Sequence, residues 1–177
     1  MAERWAEHRL RLIHAAADAF AAGERLTVDT VRARAGAGRN TVYAHFPDID
    51  QLLRAVQSAA VSAVTKRVAV ALESALTPME ALRGLARAWL ETVDAEPTLM
   101  NALISDPARV DALFEEQLRR TLAPAKRDGV ISQPLDESRI GLAAGVLEAG
   151  VRRYLRRRSG RDELVGLLVD VVLRAFR

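Results

Sequence analysis

The stretch AGAGRNTVYAHFPDID, residues 35–50, contains a turn, a short helix and a helix stop. The two glycines of AGAG predict a tight turn, and Pro47 is expected to end the helix over 39–46. Val42 and Phe46 lie four residues apart, so they share one face of that helix and can anchor it to a core. A short helix that comes after a glycine-containing turn in this way is typical of the second half of a helix-turn-helix.

The two helices before this stretch complete a three-helix unit. Thr27 can cap the second helix, and Asp29 stands in its first turn, where a carboxylate suits the helix dipole. Gly23 closes the first helix. The first helix is indicated by apolar residues that recur at helical spacing, namely Leu10, Ile13, Ala17 and Phe20. The buried face of the second helix is predicted to consist of Val28, Val31 and Ala35.

The other face of the third helix carries side chains that can read DNA: Arg39, Asn40, Thr41, Tyr43, Ala44 and His45. Arginine can pair with guanine, asparagine with adenine, and a threonine or alanine methyl group can contact the thymine methyl group. Tyrosine and histidine can donate hydrogen bonds to phosphates, which position a protein without specifying sequence. The same spacing also fits the polar face of an ordinary surface helix, so the pattern alone leaves both interpretations open.

Helical patterns continue to the end of the chain. Asp48 and Gln51 form a capping pair for a long fourth helix, and Thr77 with Pro78 opens a fifth. Prolines at positions 97, 107, 124 and 134 are expected to divide the next part of the chain into shorter helices. Two apolar helices close the chain, over 136–157 and 161–176. No alternating strand pattern of convincing length occurs, so the sequence predicts an all-α protein of about nine helices.

The composition excludes several classes of protein. The chain has 177 residues, 26 basic and 23 acidic side chains and no cysteine, which excludes disulfides and cysteine nucleophiles. No apolar run reaches the roughly 18 residues that a membrane span needs, and no export signal is present at the start. None of the common catalytic or phosphate-binding motifs occurs. We therefore predict a cytoplasmic protein that is not an enzyme and has no cofactor, metal site or membrane partner.

Residues 12–56 resemble the DNA-binding region of TetR-family transcriptional regulators. The matching features are the alanine-rich first helix ending in Phe20, then Thr27, Ala35-Gly36, Thr41-Val42-Tyr43, His45-Phe46-Pro47 and Leu52-Leu53. The resemblance implies a helix-turn-helix DNA-binding domain over 1–47. It also implies a helical effector-binding and dimerisation domain over 48–177, in which residues 48–76 form the connecting helix.

The resemblance also implies roles for individual residues. Tyr43 stands at the family's phosphate-contacting tyrosine, and Thr27 stands where a phosphate-contacting hydroxyl is usual. The positions that vary with operator sequence in the family are occupied here by Arg39, Asn40, Thr41, Ala44 and His45. The sequence departs from the family pattern at several positions. Gly38 replaces the usual capping serine, Asn40 stands where glycine is frequent, and Ile49 replaces a lysine that commonly touches the DNA backbone. The connection over 23–26 is also one residue shorter than usual.

The last helix is apolar on nearly every side, so it is expected to be buried all round. In a chain of this size the natural burial partner is a second copy. We expect a homodimer through residues 136–157 and 161–176, and therefore a palindromic operator in double-stranded DNA.

A small-molecule effector site is the least determined feature. Bulky and polar side chains in the second domain are candidates to line it: Trp89, Met100, Leu103, Phe114, Gln117 and Leu118. The predicted function is a dimeric regulator, in particular a repressor that a small apolar effector releases from its operator. The alternative is a helical protein-interaction module that keeps the helix-turn-helix without binding DNA. The arginine-rich run over 152–161 is either a solvated helix end or a site for nucleic acid or an acidic ligand.

Overall fold

The computed structural model describes residues 2–176, and the described chain folds into nine α-helices with no strand. This confirms the predicted all-α fold. The helices are α1 (Ala2–Ala21), α2 (Val28–Ala35), α3 (Arg39–His45), α4 (Ile49–Glu73), α5 (Pro78–Ala95), α6 (Pro97–Ile104), α7 (Pro107–Arg127), α8 (Glu137–Arg157) and α9 (Arg161–Arg174). None of the helices in this described part is long and apolar enough to cross a membrane.

The described chain forms two compact units. The first unit runs up to Ser62 and includes Glu96–Ser105, and the second comprises Ala63–Ala95 and the chain from Asp106 onward. The first unit therefore extends beyond the predicted 1–47 segment, because it takes in half of α4 and the whole of α6. The assignment of DNA binding to 1–47 and of effector binding to 48–177 stays a prediction.

The core of the first unit forms around α1, which packs against α2 and α6. Leu12, Ile13 and Ala16 of α1 are buried, as is Val31 of α2. The predicted capping residues act as expected. The Thr27 hydroxyl accepts a hydrogen bond from the backbone N–H of Thr30 at 3.1 Å, and Asp48 accepts one from the backbone N–H of Gln51 at 2.7 Å. Side-chain caps of this kind satisfy N–H groups that have no partner within the helix.

The core of the second unit forms where α5 meets α7, α8 and α9. Trp89, Phe114 and Phe176 are its largest fully buried side chains. One expectation is wrong here, because Pro124 lies inside α7 and does not break it. The proline stands close to the end of the helix, where its missing N–H removes a single hydrogen bond and the helix ends soon afterwards at Arg127.

Candidate nucleic-acid interface

Helix α3 is held by two buried anchors. Val42 and Phe46 are 1% and 3% exposed, as their shared face predicted. The glycine turn before α3 is set by Gly36, which caps α2 with a left-handed backbone at φ 61°. Because glycine enters this region without steric penalty, the turn between α2 and α3 can be tight. The local sequence thus orients one polar face of α3 away from the core.

That polar face exposes most of the predicted DNA-reading residues. Arg39, Asn40, Tyr43 and Ala44 are exposed, and Thr41 is half-buried. The side chain of Tyr43 is 46% exposed, and within residues 2–176 its hydroxyl makes no hydrogen bond. A phenol hydroxyl in this situation can donate to an incoming phosphate oxygen without first breaking an internal bond.

Arg39 does not project freely, because its guanidinium lies 3.3 Å from the carboxylate of Asp29 in α2. Asp29 also accepts a hydrogen bond from Arg32 at 2.7 Å. The hydrogen bond from Arg32, followed by the charge of Arg39, holds the pKa of the Asp29 carboxyl below its usual value. Ion pairs between exposed side chains are weak, because water screens the charges and two long side chains have to be held in place. Arg39 can therefore leave Asp29 and pair with a phosphate or a guanine edge at little energetic cost.

The hydroxyl of Thr27 is engaged within its own turn. Thr30 donates its hydroxyl hydrogen to the backbone carbonyl of Arg25 at 3.1 Å, so in the 2.8 Å contact between the two threonine hydroxyls Thr27 is the donor. A phosphate contact by Thr27 would require its hydroxyl hydrogen to turn away from Thr30. The predicted phosphate role of Thr27 remains a prediction with that added requirement.

His45 is the predicted contact residue that the structure does not place on the exposed face. Its ring stacks on Trp5 of α1 with the ring centroids 3.7 Å apart. Both imidazole nitrogens are buried and lack a hydrogen-bond partner among the described residues. Burial is the main cause that lowers the pKa of His45, followed by the nearby charges of His8 and Arg9. A neutral ring turned against α1 is poorly placed to donate to DNA.

Sequence reasoning missed Trp5 and Asp29 as parts of this site. Trp5 precedes the matched motif and contacts α3 only through the tertiary fold, so no local spacing reveals it. Asp29 was recognised for its position at the start of α2, where a carboxylate suits the helix dipole. The ten-residue separation from Arg39 lies outside the i, i+4 rule that identifies ion pairs along one helix.

The predicted effector residues are all buried, but they do not form one cluster. Trp89, Phe114, Gln117 and Leu118 belong to the second unit, and Met100 and Leu103 lie on α6 in the first. The rings of Trp89 and Phe114 stack at 3.9 Å with 20° between their planes. The indole N–H of Trp89 donates to Gln117 Oε1 at 2.8 Å.

The amide nitrogen of Gln117 is a buried donor with no partner among residues 2–176. Because the Trp89 hydrogen bond fixes which end of the amide is oxygen, the unpaired end is a donor. An unsatisfied buried donor costs about 1 to 3 kcal/mol, and a ligand oxygen or a water could satisfy it.

The arginine-rich run is partly engaged in structural contacts. Arg152 pairs with Glu148 at 2.5 Å, and Asp94 accepts hydrogen bonds from Tyr154 and Arg161, both at 3.0 Å. Burial, followed by the Asp94 carboxylate, raises the pKa of Tyr154. Arg152, Tyr154 and Arg161 thus have an intramolecular structural role. No group of three or more metal-ligating side chains occurs in the described part of the chain.

Residues 12–56 match the family model described as "Bacterial regulatory proteins, tetR family". No curated protein sequence matches the chain. The family match covers the same stretch as the sequence resemblance, and it confirms that resemblance.

Solved structures of TetR-family regulators share the whole fold. The TetR-family transcriptional regulator PfmR from Thermus thermophilus is 22% identical, with 93% of this chain and 97% of that chain covered and a TM-score of 0.71. The fatty acid degradation regulator FadR from Bacillus halodurans is 17% identical, with coverages of 93% and 94% and a TM-score of 0.76. AibR, in complex with isovaleryl coenzyme A and operator DNA, is 16% identical, with coverages of 94% and 98% and a TM-score of 0.73. At these identities the likeness shows the fold.

Proposed function

We propose that this chain, which matches the TetR family over residues 12–56 and has the fold of that family's solved members, is a DNA-binding transcriptional regulator. The observation that carries the proposal is the exposed polar face of α3. Two buried anchors and a left-handed glycine turn hold this face outward. A rigid short helix with such a face is what direct readout in the major groove requires.

In the proposed complex, Arg39, Asn40, Thr41 and Ala44 meet base edges, and Tyr43 donates to a phosphate. Arg39 leaves Asp29 on binding, and Thr27 adds a second phosphate contact by turning its hydroxyl from Thr30. His45 supports α3 from behind through its stack on Trp5. Base contacts then determine the operator sequence, whereas the phosphate contacts set the orientation of the helix.

The proposed regulator is a homodimer. Within the described chain, α8 and α9 leave large apolar side chains exposed: Leu142, Leu167 and Val171 are 63%, 59% and 39% exposed. The last helix is therefore not buried all round within one protomer, which agrees with the expectation that a second copy covers it. A second copy packed on this surface would bury these side chains and relate two α3 helices by two-fold symmetry, which supports a palindromic operator.

We further propose that the regulator is a repressor that a small-molecule effector releases. An effector acts by binding better to a conformation of low operator affinity. The effector residues that we predicted around Trp89 are fully buried, and Trp89 stacks on Phe114 with the ring centroids 3.9 Å apart. This cluster therefore offers an effector no open space, and the effector site has to lie elsewhere in the second unit.

Binding to the DNA upstream of its own gene, across a salt series, tests the DNA-binding proposal. The wild type should bind this fragment more tightly than an unrelated duplex, and affinity should fall steeply with salt because phosphate contacts release counterions. Arg39→Ala should weaken operator binding by about 1 to 3 kcal/mol and reduce the difference in affinity between the operator and the unrelated duplex. Tyr43→Phe should weaken binding to both duplexes equally, because a phosphate contact carries no sequence information.

Arg120→Ala is the matched control for Arg39→Ala, because it removes an exposed arginine that also pairs with a carboxylate and that lies far along the chain from α3. It should leave operator binding unchanged. Equal binding to any duplex, indifferent to Arg39 and Tyr43, would contradict the proposal. That result would favour the protein-interaction module. Two features are consistent with this alternative: Arg39 is paired with Asp29, and isoleucine occupies position 49.

A further inference from the structure

A groove of about 840 Å³ lies between the second half of α4 and α5, wholly within the second unit. We call it the α4–α5 groove. It is distinct from the buried cluster around Trp89, which contributes no residue to its lining. The groove is lined by the second half of α4, by the segment that follows α4 and by α5.

Four cations border the α4–α5 groove: Lys66, Arg67, Arg83 and Arg87. Arg87 pairs with Asp162 at 3.3 Å. Among the described residues, the guanidinium of Arg67 hydrogen-bonds only to the backbone carbonyl of Ala63, at 3.5 Å. Lys66 and Arg83 have no ion-pair partner within residues 2–176. Three of the four cations therefore lack a carboxylate partner in this part of the chain.

The two carboxylates of the groove form no ion pair with these cations within residues 2–176, and two carboxylates against four cations leave the lining with net positive charge. Glu80 uses its carboxylate to accept hydrogen bonds from the backbone N–H groups of Leu76 and Thr77, at 2.9 and 3.1 Å. Glu91 lies beyond Arg87 along α5 and forms no ion pair within the described chain. A surplus of unpaired positive charge in a concave site attracts an anion.

The rest of the lining is apolar and partly uncovered. Val70 is 61% exposed and Leu76 is 92% exposed, although both are large aliphatic residues. Beneath them α4 and α5 approach closely, since a methyl group added at Gly84 would lie 3.1 Å from the methyl group of Ala71. Ala71 and Gly84 therefore form the bottom of the groove, and Val70 and Leu76 form an exposed apolar side.

The polar and apolar parts of the groove lie at different ends. Four residues connect α4 to α5, and so short a connection makes the two helices antiparallel. Counted from the contact between Ala71 and Gly84, Arg67 and Arg87 are each about one turn away in the same direction. Ala75 and Leu76 lie in the opposite direction. The groove thus has Lys66, Arg67 and Arg87 at one end, with the Glu91 carboxylate beyond Arg87. At the other end it has the aliphatic surface of Ala75 and Leu76, beside Glu80.

We propose that the α4–α5 groove binds a small-molecule carboxylate with an aliphatic chain, the carboxylate at Lys66, Arg67 and Arg87 and the chain along Val70 and Leu76. The volume of the groove lies within the roughly 300 to 1,000 Å³ that small-molecule sites occupy. This inference rests on the proposed function, because it names the chemical class of the effector. It places the effector in this groove and leaves the packed Trp89 cluster closed.

Calorimetry with dodecanoate, below its micelle concentration and with no DNA present, tests the inference on the full-length protein. Dodecanoate should bind, and dodecan-1-ol should bind about tenfold more weakly because it lacks the charge that the cations recognise. Acetate should show no measurable binding because it lacks the chain. Equal affinity for dodecanoate and dodecan-1-ol, or binding of neither, would overturn the proposed carboxylate class.

Two sets of variants locate the binding site. Val70→Glu places a carboxylate at the exposed apolar side and should weaken dodecanoate binding by about tenfold or more. Val130→Glu is its matched control, since Val130 is also a valine at 60% exposure but lies outside the groove, and it should bind like the wild type. The double variant Lys66→Gln, Arg67→Gln should lose the preference for dodecanoate over dodecan-1-ol. Unfolding curves confirm that each variant is folded, and a folded Val70→Glu with unchanged affinity would overturn the site.

Operator binding measured with and without dodecanoate separates this inference from the proposed function. Dodecanoate binding in the groove without any operator binding would support the proposed ligand site and contradict the proposed DNA-binding function. Operator binding without dodecanoate binding would contradict the proposed ligand site and support the proposed DNA-binding function. Release of the operator by dodecanoate in the wild type and in Val130→Glu, but not in Val70→Glu, is the result that both proposals require.

Discussion

His45 keeps two polar atoms out of water at the boundary between α1 and α3. Its imidazole lies against Trp5, and neither nitrogen finds a partner among the described residues. A buried polar group without a hydrogen bond costs about 1 to 3 kcal/mol. At the scale of the residue, the structure therefore predicts that this position is suboptimal for stability.

His45→Phe should raise the free energy of unfolding by about 1 kcal/mol at neutral pH, because phenylalanine keeps the stacked ring and removes both unsatisfied nitrogens. The substitution should also reduce the pH dependence of the free energy of unfolding. Burial lowers the pKa of His45 in the folded protein, so the unfolded chain binds the proton more readily. Stability is then fully present above the unfolded pKa of about 6.5 and is lost as the pH falls below it.

Urea unfolding at pH 7.5 and 5.5 measures both effects. The carboxyls with lowered pKa values (Glu24, Asp29, Asp48 and Asp136) lose their contribution only below their unfolded pKa values of about 4, so they do not interfere in this window. His14→Phe is the control, because His14 is exposed on α1. A His45→Phe protein that loses stability between these pH values as steeply as the wild type would contradict the assignment.

At the scale of the element, the turn between α2 and α3 depends on one glycine and tolerates change at the other. Gly36 has a φ of 61°, in the left-handed region, whereas Gly38 caps α3 with an extended backbone at φ −75°. A methyl group would meet no atom within 4 Å at Gly36 and only the hydroxyl of Thr41, at 3.7 Å, at Gly38. Backbone conformation, and not space, therefore distinguishes the two positions.

Gly36→Ala should destabilise the protein by about 1 to 2 kcal/mol, because an L-residue pays a steric cost in the left-handed region. Gly38→Ala is the matched variant and should change stability much less. Gly38→Ser should add a few tenths of a kcal/mol by supplying the side-chain cap that α3 lacks. Thermal unfolding of the three variants measures the difference, and equal losses for the two alanine variants would show that the turn is strained elsewhere.

At the scale of the whole molecule, the exposed apolar surface of α8 and α9 predicts self-association. Leu167→Glu should raise the dimer dissociation constant by a factor corresponding to about 2 kcal/mol or more, because it places a charge in the centre of a desolvated surface. Sedimentation equilibrium measures the shift. The same Val130→Glu protein serves as the control, since it adds the same charge at an exposed valine elsewhere.

A wild-type protein that remains monomeric at micromolar concentration would contradict the proposed dimer. So would a Leu167→Glu protein that dimerises as the wild type does. A Leu167→Glu monomer should also bind a palindromic operator much more weakly, because it loses the avidity of two linked half-site contacts.

Much of the fold could be predicted from local sequence. The spacing of Val42 and Phe46 identified the buried face of α3, and Thr27 and Asp48 identified two helix starts. These signals are local because capping and helical periodicity involve residues at most four apart. Pro124 was misread for the same reason, since a proline reveals a missing N–H but not how near the helix end it stands.

The candidate site could be predicted only in part. Sequence identified the polar set on α3, because its members share one short helix. It could not show that the His45 ring turns onto Trp5 or that Arg39 is held by Asp29, since both contacts join different helices. Most of the predicted effector residues are bulky, and bulk alone does not distinguish a pocket lining from a packed core.

The sequence by itself determined the helical class, the helix-turn-helix and the family resemblance of residues 12–56, because these depend on periodicity, caps and one turn. The tertiary structure alone decided which polar residues remain exposed, which aromatic residues close the core, and where a groove with unpaired cations opens between α4 and α5. The physical reason is that burial and charge pairing are set by the neighbours of a side chain in space, and most of those neighbours are distant along the chain.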